Sequence, residues 1–589
     1  MDRGELVRVA KGESPADSVV TNGKLVNVNS GEIYAADVAI KGGRVAAVGE
    51  AAYAIGPETE VVDAGGRYLC PGLIDGHIHV GGSQFSMTEF ARAVIPHGTT
   101  AISTDFYEIG VVAGQKAIRF ALDEVKATPL KVLFNIPPHH YLGHGQLGNT
   151  NTIGLEDVLE MLAWPECVGL AEWNVFLWDL PIEGVRRATE AAWRMGKLIG
   201  GHFGQIPANL ANATSALGIY TEHEAVSASE AMERIRAGVH IQAREGSAGR
   251  DLKQVVKAIT ELGADPRHFA FSTDEQEADS IVLDGHVDHK VRSAIRCGVS
   301  PLVAVQMATL NVAEYFRVSD DMGSIAPGKI ADIVLVDDLA DFRVAEVIAD
   351  GKLVARDGIY LGETRVPHYP DYFFNTIKLQ KMTTAEDFAV RAPAGSEAQV
   401  AVRVIGVNQG SLVTEDRRLE LPVRDGLVLA DAGQNILKIA VLDRYEASGR
   451  IGKAFVQGFR IRAGAIGSSF NPGQMNLMVA GTNDRDMSLV ANRIAELGGG
   501  YVVARDGKIL GELPLPLLGL FADEPAEKVV ERLGGINRAI SNELGTDFPG
   551  LHTAVAFVCL AVSIPSLKIC DRGLADIRKM ELVDMFELV

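Results

Sequence analysis

The feature that most constrains the fold is a sustained alternation. Between about residue 66 and residue 319, short apolar strand-like runs alternate with amphipathic helical runs, and the runs close at His77, Asp105, Pro137, Glu172, His202, His223, Arg244 and Asp274. Strands that alternate with helices pair in parallel, because each helix carries the chain back to the start of the next strand. Eight closures spaced 21 to 35 residues apart leave room for one strand, one helix and their loops in each unit, and eight such units close into a (β/α)8 barrel. The carboxyl ends of the strands then converge on one mouth, where active-site groups gather. The expected class is α/β, a TIM-like barrel.

A chain of 589 residues is too long for one hydrophobic core. Ahead of the alternation, short β-like pieces at residues 19–21, 24–28 and 44–48 are separated by Asn22-Gly23 and Gly42-Gly43 turn signals. A matching piece returns at residues 323–336, followed by 344–348 and 352–355. These segments predict a small composite β-sandwich built from residues 1–65 plus 320–363, bracketing a barrel of residues 66–319. Beyond a connector through Tyr369-Pro370-Asp371, β-rich pieces at 400–407, 426–430 and 435–442 and helical segments at 484–497 and 526–542 predict a third, mixed α/β unit over residues 364–589.

A hydrophobic fraction of 47% and a charged fraction of 22% describe a globular protein. The formal net charge of −20 opposes binding to a phosphate backbone, so no nucleic-acid partner is expected. The five cysteines, Cys70, Cys167, Cys297, Cys559 and Cys570, are scattered and form no Cys-x-x-Cys pair, which points to a reducing compartment rather than a disulfide or thiolate-zinc framework. No apolar stretch is long enough to span a bilayer, and the first residues lead into no signal-type core. A cytoplasmic protein with no membrane partner is expected.

The chemistry starts at Pro71-Gly72-Leu73-Ile74-Asp75-Gly76-His77-Ile78-His79. Residues two apart on a strand share a face, so both imidazoles emerge together where the strand stops, placed to hold one metal ion. The other strand ends add Glu172, His202, His223 and Asp274. Two divalent ions need a bridging oxygen with nitrogen ligands on either side, and His77, His79, Glu172, His202, His223 and Asp274 suffice. Manganese, iron and zinc all accept such a set. Two cations would lower the pKa of water between them toward neutrality, and Asp274 is the group expected to relay its proton.

This set resembles the amidohydrolase superfamily, with His-x-His on the first barrel strand, histidines on the fifth and sixth and aspartate on the eighth. The runs at Pro71–His77 and Pro327-Gly328-Lys329-Ile330-Ala331-Asp332 are similar to it as well. Within the superfamily the chain resembles the adenine deaminases over nearly its whole length. Gly169-Leu170-Ala171-Glu172 matches a strand-four glutamate that bridges the metals there, and Arg244-Glu245-Gly246-Ser247-Ala248, Ser272-Thr273-Asp274, Gly285-His286-Val287-Asp288 and Pro514-Leu515-Pro516-Leu517 match further motifs. The resemblance implies a metal-dependent hydrolase that releases ammonia from adenine or a related aminopurine, with Asp274 and Glu172 catalytic. It also implies a homo-oligomer, a dimer or larger.

The chain departs from that family at Asp105-Phe106-Tyr107-Glu108, where Asp-Pro-His-Glu is usual, and at Asn471-Pro472-Gly473-Gln474-Met475-Asn476, where Ser-His-Asp-Ser-His-Asn is usual. His202-Phe203-Gly204 replaces His-Cys-Pro, and Asp274-Glu275 replaces Asp-Asp. The ligands are thus intact while groups expected around the substrate differ. Candidate substrate contacts are Asp105, Glu108, His139, His140, Trp173, Arg244, Glu245, Glu275 and His286. The loop Pro137 to Gly145 adds Tyr141 and His144; Trp173 is alternatively barrel packing, and Arg244 and Glu245 alternatively pair with each other. An amidase or cyclic-amide hydrolase using the same two-metal site is the other enzymatic reading.

Overall fold

The structure is a computed structural model that describes residues 3–586 except 144–146, 148–151, 180–181, 205–207, 248, 410, 412, 549, 551–554, 562–563 and 565, with the backbone alone at 176, 177, 208 and 209. Eight parallel strands form its central sheet: β1 (Leu73–Asp75), β2 (Thr99–Thr104), β3 (Lys131–Ile136), β4 (Cys167–Trp173), β5 (Leu198–Gly201), β6 (Thr221–Glu222), β7 (His240–Arg244) and β8 (Phe269–Ser272). They pair in chain order, each beside the next. Helices intervene as the alternation requires, for example Gln115–Val125 between β2 and β3 and Glu183–Arg194 between β4 and β5. Close pairing needs small residues at particular positions. Gly169 of β4 lies opposite Leu198 of β5, where a Cβ would run into the Leu198 backbone.

The barrel closes just beyond the strand ends. Ile78–His79, past β1, pairs in parallel with Asp274–Glu275, past β8, and the His77 carbonyl accepts from the Thr273 and Asp274 amides at 3.1 and 2.9 Å. The seam is therefore made by the segments carrying His77, His79 and Asp274. Asp75 fastens it from below, accepting from the His77 amide at 3.2 Å, from the Thr273 amide at 3.1 Å and from the Thr273 hydroxyl.

The segments flanking the barrel make one nine-stranded sandwich-like sheet. Tyr68–Pro71 pairs with Ser18–Asn27 on one side and with Ile333–Val336 on the other, joining the chain before the barrel to the chain after it. Val20, Leu25, Val38, Leu69, Ile333 and Leu335 form a shared apolar cluster there.

The C-terminal unit is a ten-stranded mixed sheet that includes Gln399–Gly406, Glu415–Arg424, Ile436–Leu442, Ile451–Gln457 and Leu477–Gly481. Helices Asp484–Glu496 and Ala526–Ala539 pack against it. A continuous apolar cluster runs from Ile102, Phe134 and Leu170 of the barrel to Ile439, Val456 and Phe521 of this unit. Arg92 pairs with Glu527 at 2.6 Å, and the Tyr369 hydroxyl donates to Glu124 at 3.0 Å. Such contacts seat the unit over the barrel mouth. Among the described residues, no helix is long and apolar enough to cross a membrane.

Candidate active site

All six residues read as metal ligands converge at the carboxyl ends of the strands. His77 and His79 follow β1, Glu172 is the penultimate residue of β4, His202 follows β5, His223 follows β6 and Asp274 lies two residues past β8. They are between 3% and 7% exposed. Glu172 sits at the centre: its Oε1 is 2.9 Å from His77 Nε2, 3.3 Å from His223 Nε2 and 3.8 Å from His79 Nε2, and its Oε2 is 2.9 Å from His202 Nδ1. Asp274 Oδ1 lies 3.6 Å from His79 Nε2 and 3.9 Å from His77 Nε2. Three overlapping clusters able to hold a cation follow: His77, His79 and Glu172; Glu172, His202 and His223; and His77, His223 and Asp274.

The backbone is bent to make this convergence. Glu172 and Asp274 both adopt left-handed backbone, with φ of +57° and +61°, as does Phe106 after β2, with φ of +50°. Non-glycine residues in this region are uncommon and are held there by surrounding structure, a form of strain that concentrates at functional sites.

Polar atoms at the centre fit a metal. Glu172 Oε1, His202 Nε2 and His223 Nε2 are shut away from solvent and make no hydrogen bond, an arrangement that is costly unless a ligand satisfies them. Asp105 Oδ1 accepts from His79 Nδ1 at 3.2 Å, the support that leaves the opposite ring nitrogen directed at a cation. Electrostatics agree. Against the upward push of burial, His202 and His223 hold the Glu172 carboxyl well below its ordinary range. Burial and the neighbouring His77 push His223 down to about 3, so it is a neutral imidazole. Although burial lowers it, His202 is drawn up to about 9 by Glu172, Glu224 and Asp274. The centre is a field that attracts positive charge.

Beside the ligands is a cavity at the mouth, lined by His79, Tyr107, His140, Glu172, His202, Asp274 and Glu275 from the barrel and by Pro472, Phe557 and Leu560 from the C-terminal unit. Of the candidate substrate contacts, His140 and Glu275 reach it. Glu275 is buried, with Oε2 making no hydrogen bond, and burial together with Glu108, Asp274 and Asp105 raises its carboxyl well above the ordinary range despite the opposing His79. His139 packs against His140, ring centroids 4.4 Å apart.

Other candidates occupy the layer behind. Asp105 supports His79 and accepts from the Tyr107 amide at 3.1 Å. Glu108 accepts from the Gly81 amide at 3.0 Å, and burial with nearby Asp105 raises it to about 7. Arg244 pairs with Glu224, with Asp251 at 2.8 Å and with Asp274 at 3.0 Å. Its ion pairs among the described residues do not run to Glu245, which is half-buried and raised by burial. Two candidates lie away from the cavity. Trp173 is fully buried packing, with Nε1 donating to Thr189 Oγ1 at 2.9 Å. His286 is also fully buried, 3.1 Å from Asp75 Oδ2 and 2.9 Å from Thr99 Oγ1. His144, Gly145 and Ala248 lie outside the described residues.

Sequence reasoning passed over Tyr107, Glu224, Asp75, Phe557 and Leu560. Glu224 follows a ligand histidine and Tyr107 lies in a run already marked as divergent, so both carried a local signal. Phe557 and Leu560 carried none, because nothing local places them at the barrel mouth.

Comparison with known proteins agrees with this geometry. Residues 68–354 match the amidohydrolase family and residues 411–581 match the adenine deaminase C-terminal domain. The chain is 41% identical over 588 residues to an adenine deaminase of Moorella thermoacetica, covering 99% of this chain and 97% of that one. Identity is 38% to an adenine deaminase of Clostridium botulinum, covering 99% and 97% of the two chains, and 40% to one of Mesorhizobium japonicum, covering 99% and 96%. With similarity to adenine deaminases running from end to end, the chain belongs to the adenine deaminase family of amidohydrolases.

Proposed function

We propose that this chain hydrolyses adenine to hypoxanthine and ammonia, using two divalent cations held at the barrel mouth. The observation that carries the reading is an intact set of six converging ligands in a chain similar to adenine deaminases over 99% of its length. His77, His79 and Asp274 would hold one cation, His202 and His223 the other, and Glu172 would bridge them. Cations bound there lower the pKa of water to near neutrality and so supply the nucleophile. Manganese, iron and zinc all suit the donors.

Asp274 moves the proton. Its Oδ2 is held by Arg244 at 3.0 Å while Oδ1 faces His79 and His77, so the carboxylate is fixed in one orientation toward the place the cations would occupy. As the water oxygen bonds to the ring carbon bearing the amino group, Asp274 accepts a proton, then delivers it to the departing nitrogen as the carbon-nitrogen bond breaks. Glu275, whose carboxyl its buried, acidic surroundings raise well above the ordinary range, would in its protonated form donate a hydrogen bond to a ring nitrogen as negative charge develops there. His140 lines the same cavity and contacts the ring edge. The protein acts on a small molecule as a cytoplasmic homo-oligomer, a setting that suits its free cysteines.

The test is ammonia release by purified, manganese-loaded protein offered adenine, substituted aminopurines and cyclic amides. Ammonia from adenine is expected. Ring opening of a cyclic amide with no ammonia from adenine would overturn the reading.

A further inference from the structure

The cavity has two unlike sides. Every polar lining group named above, from His79 to Glu275, comes from the barrel, whereas the C-terminal unit contributes Pro472, Phe557 and Leu560, with no polar side chain among them. We infer that these three residues form a ceiling against which the face of a planar, uncharged heterocycle packs, so that the C-terminal unit sets substrate affinity while the barrel does the chemistry. The inference rests on the adenine reading and deepens it.

This ceiling is built from two separated segments that lie against each other. Phe557–Cys559 forms a short helical turn, and Phe557 and Leu560 pack with Ile564 in an apolar cluster. The loop carrying Pro472 lies directly against that turn. Gly473 has a φ of +100°, and a Cβ there would come 3.2 Å from the Cys559 carbonyl and 3.3 Å from the Ala561 amide. Only glycine takes this backbone without strain while permitting so close an approach.

Both segments are also held from behind. Fully buried Arg444 donates to the carbonyls of Ser469 at 3.2 Å and Met475 at 3.1 Å, and the Tyr445 hydroxyl donates to the Gln474 carbonyl at 2.8 Å. Lys568 Nζ donates to the Phe557 carbonyl at 3.2 Å. A surface this well supported keeps its shape before the ligand arrives, which preserves affinity that ordering would otherwise remove. An apolar ceiling over polar walls suits a ring whose faces are apolar and whose edge carries nitrogen. No lysine or arginine lines the cavity among the described residues.

The experiment measures steady-state kinetics on adenine together with calorimetric binding of purine, which carries the ring but no amino group to release. It uses full-length, manganese-loaded wild type, Phe557→Ala, Leu560→Ala and Phe557→Leu, with metal content determined for each. Phe557→Ala should raise KM for adenine and Kd for purine about tenfold, the scale of a lost aromatic contact, with kcat within about threefold and metal content unchanged. Leu560→Ala should act in the same direction, and the apolar replacement Phe557→Leu should restore most of the affinity. Values of KM and Kd within about twofold of wild type in both alanine variants would overturn the ceiling. If wild type binds purine and Phe557→Ala does not, while adenine yields no ammonia, the ceiling stands and the adenine reading fails. If wild type neither binds purine nor releases ammonia, both fail.

Discussion

Arg244 Nη1 donates to Asp274 Oδ2 at 3.0 Å, and the same guanidinium is gripped by Glu224 and by Asp251 at 2.8 Å. It gathers three carboxylates, Glu224, Asp251 and Asp274, from the segments that follow β6, β7 and β8. Arg244→Gln should leave Glu224 and Asp274 as uncompensated buried charges, a loss on the order of 3 kcal/mol. The thermal midpoint should fall by several degrees, and ammonia release should fall with it, because Asp274 is no longer held in one orientation.

Asp274→Asn keeps a ligand oxygen and removes the proton acceptor. Turnover should fall by roughly a thousandfold, with metal content by elemental analysis close to wild type. Near-normal ammonia release from this variant would remove Asp274 from the proton path.

Chelation should abolish activity, and titration with manganese should restore it fully at about two ions per chain, as a two-metal site requires. Full recovery at one ion per chain would leave Glu172 as an ordinary ligand rather than a bridge.

Glu166, just before β4, shows how far a surface pair supports the barrel. Partial burial pushes its carboxyl up, yet hydrogen bonds from Arg119 and Lys126 outweigh this and lower it from 4.5 to about 2. A carboxylate with a depressed folded-state pKa adds stability at pH above its unfolded value, and that stability is lost as the pH falls toward the folded one. Glu166→Gln should therefore lower the thermal midpoint at pH 7 by an amount worth roughly 1 kcal/mol, and the gap to wild type should narrow between pH 4.5 and pH 3. A gap that widens on acidification would contradict the pairing.

The convergence of the six candidate ligands was legible because a barrel strand turns sequence position into spatial position. His77, Glu172, His202, His223 and Asp274 each fall within two residues of a strand's end, and parallel strands of one barrel bring those ends together. The partners of Arg244 were not legible in the same way. Adjacent residues on a strand face opposite sides, so Glu245 is poorly placed to meet it, and the groups that do, Glu224 and Asp274, lie 20 and 30 positions away. Trp173 and His286 sat in promising motifs, yet both pack into the interior, where Thr189 and Asp75 occupy their polar atoms.

By itself the sequence determined the strand alternation and the nitrogen and oxygen donors at the strand ends, because each depends on residue type and local period. Only the tertiary structure decided what stands opposite those donors. Phe557 and Pro472 reach the barrel mouth because the C-terminal sheet shares an apolar core with the barrel. A contact of that kind arises from the docking of whole units and leaves no periodicity in the chain.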